Sequence, residues 1–159
     1  MGAGAQEETQ TQEGKMKIAF YPGSFNPWHD GHQDVLNKAL MLFDKIVILQ
    51  MSSFGKDDAG PQKSNPNHPR AEYLYRPEMS IVKAIGNYVI GFADDLERPS
   101  FAIIRGMRNE KDFCEEQILT YWYQDLGLKM PIFHIISDRS LVHVSSSAIK
   151  AANKFTEKV

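Results

Sequence analysis

Cysteine is almost absent: the chain of 159 residues has one, Cys114. A single thiol cannot build an internal disulfide framework and suits a reducing compartment, so the expected location is cytoplasmic. No apolar run approaches the ~18 residues that a membrane-spanning helix needs, so no membrane partner is expected. A charge surplus is missing too. The formal net charge is −2, and Glu7, Glu8, Glu13 and Lys15 account for it, so the two signs balance from Met16 onward. A near-neutral body lacks the basic face that holds nucleic acid. Any anion it binds must be met by a few placed cations. No Gly-Lys-Ser/Thr opens a helix, which excludes a Walker phosphate loop. No Cys-His or Ser-His-Asp arrangement has the context that covalent catalysis requires.

What is present begins at Met16. Residues 2–14 are all Gly, Ala, Gln, Glu and Thr, with almost nothing to bury, and residues 1–15 read as a disordered tail. Residues 16–159 read as one domain. Ile18-Ala19-Phe20-Tyr21 is a short strand stopped by Pro22-Gly23. Val35, Leu36, Ala39, Leu40 and Phe43 recur at helical spacing from about Gly31. Residues 45–51 (KIVILQM) form a β-branched run suited to burial on both faces. Residues 52–70 make a long polar loop. A helix is expected over 78–87 and strands over 88–92 and 101–104. The longest helix is expected over 110–126, a fifth strand over 131–136 and a closing helix over 145–155. Such alternation predicts a doubly wound α/β domain: a mostly parallel, five-stranded Rossmann-like sheet with helices on both faces. In such sheets ligands bind beyond the carboxyl ends of the strands.

The unusual residues fall at those ends. After the first strand come Ser24, Phe25, His29, Gly31 and His32, where Gly31-His32 opens a helix whose positive end favours phosphate. Zinc binding by His29 and His32 is a rival, but no cysteine or third clustered ligand supports it, and no metal ligands are assigned. After the second strand, Lys56 and Lys63 sit in the long loop as candidate phosphate partners. After the fourth, Arg105 and Arg108 flank Gly106; they either fork onto phosphate oxygens or pair with Asp112, Glu115 or Glu116. After the fifth, Ser145, Ser146 and Ser147 start a helix, as caps or as an anion cradle. Cations and helix ends without a nucleophile suit nucleotidyl transfer, where the protein positions an external nucleophile and stabilises developing charge.

Three segments carry a resemblance. Gly23-Ser24-Phe25-Asn26-Pro27 followed by Gly31-His32, then Ile104-Arg105-Gly106-Met107-Arg108 with Asp112-Phe113 and Glu116, then Val144-Ser145-Ser146-Ser147, resemble the bacterial phosphopantetheine adenylyltransferases. These belong to the wider His-x-Gly-His nucleotidyltransferase superfamily. The resemblance implies one nucleotidyltransferase domain over 16–159, using ATP and a small phosphate-bearing acceptor, and a homo-oligomer. It implies that Gly31 and His32 meet the ATP phosphates, with His32 stabilising the reacting α-phosphorus. Ser24 would touch both phosphates, Phe25 would line the nucleotide side, and Lys56 and Arg105 would hold the acceptor phosphate. Arg108 would bind the ATP phosphates, Glu116 the nucleoside, and Val144, Ser145, Ser146 and Ser147 the adenine and triphosphate. His32, Lys56 and Arg108 would be catalytic. Mg²⁺ would ride on the triphosphate.

Departures from the family pattern fall at Asn26, His29-Asp30, Glu115 and Tyr123, the last in place of an Asn that meets the pantetheine arm. The expected acceptor is 4′-phosphopantetheine. The alternatives are nicotinamide mononucleotide, for which Tyr121, Trp122 and Tyr123 would offer an aromatic shelf unless they pack into the core as a helix stripe, and a nucleotide sensor with little turnover.

Overall fold

The structure is a computed structural model that describes residues 14–52, 60–61, 66 and 68–156. Its elements in chain order are β1 (Lys17–Gly23), α1 (Asp30–Ala39), β2 (Lys45–Gln50), β3 (Ala71–Tyr75), α2 (Ile81–Ile90), β4 (Ser100–Met107), α3 (Glu110–Asp125), β5 (Ile132–Ile136), a 3₁₀ turn (Arg139–Leu141) and α4 (Ser146–Thr156). The strands form one sheet in the order β3-β2-β1-β4-β5. Every pairing is parallel. The order reverses between β1 and β4, the place where an open α/β sheet leaves a crevice.

Side-chain alternation builds a core on each face. Ala19 and Tyr21 of β1 join Ile46, Ile48, Ala102 and Ile104 under Val35, Leu36 and Ala39 of α1. Ile18 and Phe20 join Val47, Leu49 and Ile103 under Ala84 and Ile85 of α2 and Tyr123 of α3. Helices therefore cover both faces, as the alternating pattern predicts. Interior strand β2 is buried on both sides, with Ile46, Val47, Ile48 and Leu49 at 0% exposure, which explains its unbroken apolar run.

Two expectations are corrected. Residues 88–92 are not a strand. Ile81, Ile85, Tyr88, Val89 and Phe92 keep helical spacing and pack on one core, so α2 runs to Ile90 and turns there. The third strand is instead Ala71–Tyr75 (AEYLY), half-buried along its whole length at the sheet edge. Its polar content hid it: an edge strand needs no β-branched run.

Lys38 ties α1 to the far edge. Its Nζ donates to Asp34 at 2.8 Å, to Asp138 at 2.7 Å and to the Ile136 carbonyl at 2.9 Å. Those two carboxylates hold the Lys38 pKa above its ordinary value. The clamp fixes the turn after β5 against α1, and so places the start of α4 beside the β1 loop.

Candidate active site

The β1–α1 loop folds around Phe25. This residue has φ 45°, rare for a side chain with a Cβ, and its ring is 2% exposed. The ring lies over Gly23, where a Cβ would come within 2.8 Å of Phe25 Cζ. It also packs edge-on to Tyr21 and to His32, with centroids 4.9 Å apart in each case. Gly23 is therefore glycine because Phe25 occupies its side-chain space.

His29 caps α1. Its Nδ1 accepts the Gly31 N–H at 3.1 Å, and its carbonyl accepts the His32 N–H at 2.9 Å. The His29 and His32 rings stack at 3.7 Å. Burial, then the neighbouring His29 and Arg108 charges, push the His32 pKa down to about 3. Burial and Arg108 lower that of His29 as well. Both rings are thus neutral near pH 7. Among the described residues, His32 Nδ1 is a buried nitrogen with no hydrogen-bond partner.

At the end of β4 both arginines are paired. The Arg105 Nε and Nη2 donate to the two Glu116 oxygens at 2.7 and 2.6 Å, and its Nη1 donates to the Pro22 carbonyl at 2.7 Å. The Arg108 Nε donates to Asp112 at 2.9 Å and its Nη2 at 3.1 Å, while its Nη1 reaches the Val144 carbonyl at 3.3 Å. Burial pushes the Asp112 carboxyl up, but the Arg108 bonds outweigh it and hold the group below its ordinary value. Gly106, between the arginines, lets α1 approach: a Cβ there would meet Val35 Cγ2 at 2.8 Å.

Ser145 caps α4 by accepting the Ala148 N–H at 3.1 Å, and the Ser146 hydroxyl donates to the Pro27 carbonyl at 3.0 Å. That bond joins the α4 start to the β1 loop across the sheet.

These parts enclose a cleft of about 320 Å³ at the carboxyl ends of β1 and β4. Its walls bring together Ser24, Phe25, Gly31, His32, Arg105, Arg108, Glu116, Ser145, Ser146 and Ser147, all candidates on sequence grounds. Val144 stays off the wall and enters through its carbonyl. Lys56 and Lys63 lie outside the described residues. Sequence reasoning did not assign Tyr21, Asp112, Glu115 or Ser137 to the site, though all four line the cleft. Asp112 was visible only as one of the carboxylates with which the arginines could pair. Tyr21 and Ser137, both at strand ends, carried no such signal. The aromatic shelf is not there: Tyr123 is buried in the core, Tyr121 and Trp122 are exposed, and none of the three lines the cleft. The wall offers hydrogen-bond donors from two arginines, serines and neutral imidazole, beside the positive ends of α1 and α4. Donors of this kind suit phosphate oxygens.

The cytidylyltransferase-like family model matches residues 20–152 of this chain. The chain belongs to that family. Within it, the sequence is 31% identical over 136 residues to a phosphopantetheine adenylyltransferase of Mycoplasma capricolum, covering 85% of this chain and 95% of the relative. It is 32% identical over 137 residues to the same-named enzyme of Mycoplasma mycoides, again covering 85% and 95%. A bifunctional NMN adenylyltransferase/ADP ribose pyrophosphatase of Francisella tularensis, solved with AMP and a manganese ion, superposes with a TM-score of 0.54. That match covers 91% of this chain and 42% of the other at 13% identity, so the likeness is one of fold. As a cytidylyltransferase-like protein with adenylyltransferase relatives, the chain is a nucleotidyltransferase.

Proposed function

We propose that this nucleotidyltransferase moves AMP from ATP onto a phosphate monoester, with 4′-phosphopantetheine as the acceptor and dephospho-CoA and pyrophosphate as products. The observation that carries this reading is the convergence of strand-end and helix-start segments on one donor-rich cleft that, among the described residues, holds no covalent nucleophile in catalytic context. The name shared by the Mycoplasma relatives supports the acceptor.

An acceptor phosphate oxygen attacks the α-phosphorus of ATP. The new P–O bond forms as the bond to the β-phosphate oxygen breaks, and pyrophosphate leaves with that electron pair. Nothing covalent passes through the protein, so its work is alignment and charge stabilisation. Neutral His32 donates a hydrogen bond to the α-phosphoryl oxygens, beside Gly31 and the positive end of α1. Arg108, held flat by Asp112, meets the ATP phosphates with Ser145, Ser146 and Ser147. Val144 helps fix that edge by accepting from Arg108. Arg105, Ser24 and Lys56 meet the acceptor phosphate. Phe25 shapes the nucleotide side and keeps His32 dry.

Among the described residues, no group of three or more His, Cys, Asp or Glu side chains is placed to hold a metal ion. On the wall, Asp112 and Glu116 are committed to arginines. That donor set fits a divalent ion such as Mg²⁺ arriving on the triphosphate, where it neutralises charge, rather than one caged by carboxylates. The test is pyrophosphate release with ATP or CTP against a panel of phosphate monoesters that includes 4′-phosphopantetheine and nicotinamide mononucleotide. Release with ATP and 4′-phosphopantetheine is expected; a preference for CTP or for nicotinamide mononucleotide would replace this reading.

A further inference from the structure

Helix α3 is apolar on the side it buries and apolar again on the side it shows. Leu119 and Tyr123 pack into the core. On the opposite side, Ile118 is 58%, Tyr121 56% and Trp122 61% exposed, with Cys114 exposed beside them. Residues 114, 118, 121 and 122 fall at helical spacing, so they form one outward stripe. Single exposed apolar side chains are ordinary, but a contiguous stripe with two aromatic rings marks a contact surface. Charge frames the stripe. Lys111 lies seven residues before Ile118 and Asp125 seven after, so each sits two helical turns from it on the same face. Both are exposed. Lys111 reaches Glu115 only at 3.8 Å, and among the described residues Asp125 has no ion pair.

We propose that this stripe packs against the same stripe of a second copy of the chain, antiparallel, about a two-fold axis at Ile118. It goes beyond the expectation of a homo-oligomer by naming the face, the symmetry and the charge pairs. A two-fold contact is isologous, so each pair it makes is made twice. Turning α3 about Ile118 sets a residue n places before it against the residue n places after it. Trp122 of each copy then covers Cys114 of the other, and Lys111 of each copy meets Asp125 of the other. A parallel pairing would set Lys111 on Lys111 and Asp125 on Asp125, so charge selects the antiparallel one. The chain's own tail cannot take the place of a partner: residues 2–14 hold nothing apolar larger than Ala. Glu116, which lines the cleft, is on the buried side of the helix, so the pairing leaves the site open and does not depend on the proposed reaction. One helix face is smaller than a standard interface, so an association in the micromolar range is expected.

The test is sedimentation equilibrium of the full chain from about 1 to about 200 μM, because a self-association is read from its concentration dependence. The wild-type mass should double over that range. Ile118→Lys sets two like charges on the axis and should hold the mass at half the wild-type value while keeping a cooperative melt. Charge reversal supplies a second reading that does not touch the apolar stripe. Lys111→Glu alone should weaken association about 10-fold, and Lys111→Glu with Asp125→Lys should restore it, since only an antiparallel self-pair joins these two positions. Oxidation checks the register. In a Cys114→Ser background, Ile118→Cys should form a disulfide between copies. Wild-type Cys114 should not, because eight residues along the helix separate it from its copy by about 12 Å. A particle larger than a dimer that Ile118→Lys halves would support the proposal. A wild-type monomer throughout the range would overturn it, and so would an assembly that Ile118→Lys leaves intact. Failure of the double charge reversal to restore association, or cross-linking through Cys114 but not through residue 118, would overturn it as well.

Discussion

His32 touches His29, Phe25 and Trp28 through its ring, and this crowding makes it a neutral donor. An ordinary imidazole gains a proton at 6.5, whereas His32 waits until about 3. Within that window the unfolded chain takes a proton that the folded one refuses, so His32 costs stability as pH falls below 6.5 toward 3. A bound triphosphate reverses the local charge and should raise the His32 pKa. ATP binding in the same window is therefore expected to take up protons beyond those of ATP itself. Calorimetry in buffers of different ionisation enthalpy reads this, and His32→Asn should remove the extra uptake. Uptake equal in the two proteins would mean that His32 does not face the phosphates. The same residue should carry turnover: His32→Ala is expected to keep its melting behaviour and lose about 10²–10³ in rate with ATP saturating. Gly31, His32, Arg105 and Arg108 were legible in the sequence because each follows an apolar run that ends at a turn. The Arg105–Glu116 pair was legible only as one of several possible pairings. The tertiary contact of β4 with α3 selects it.

At the scale of elements, the cleft depends on how closely α1 lies on the sheet. Gly106 sets that distance by leaving room for Val35. Gly106→Ala puts a methyl group into an occupied space, and overpacking of that kind costs about 1–3 kcal/mol. The melting temperature should fall accordingly, and turnover should fall with it because α1 carries Gly31 and His32 into the cleft. Adding Val35→Ala should restore part of both by vacating the space. If Gly106→Ala melts like wild type, α1 is not held at its distance by this contact. Element reading failed where local composition and tertiary need diverged. Residues 88–92 look like a strand because Tyr, Val, Ile and Phe favour one, but Tyr88, Val89 and Phe92 complete a helical stripe begun at Ile81. Residues 71–75 give no strand signal because Glu72 interrupts them. Yet Glu72 is satisfied where it stands, accepting from Lys45 at 2.6 Å and from the Tyr88 hydroxyl at 3.0 Å. That network pins edge strand β3 to β2 and α2 at the end of the sheet away from the cleft.

For the whole molecule, the strand order places β1 and β4 side by side, so segments from residue 21 to residue 147 share one cleft. The alternating pattern was enough to predict the doubly wound class and a cleft at the carboxyl ends of the strands, because crossover rules leave few alternatives. It did not reveal that the arginines arrive already paired. Pairing turns a cationic patch into an oriented one, suited to a reaction in which two phosphates must be held in line. The central claim is that this cleft joins AMP to an acceptor phosphate. The most direct measurement uses ATP labelled at the α-phosphorus with 4′-phosphopantetheine and follows both products. The account predicts label in the acceptor product, an equal amount of pyrophosphate, and loss of both in His32→Ala. Label recovered as free AMP, or label transfer undiminished in His32→Ala, would contradict it.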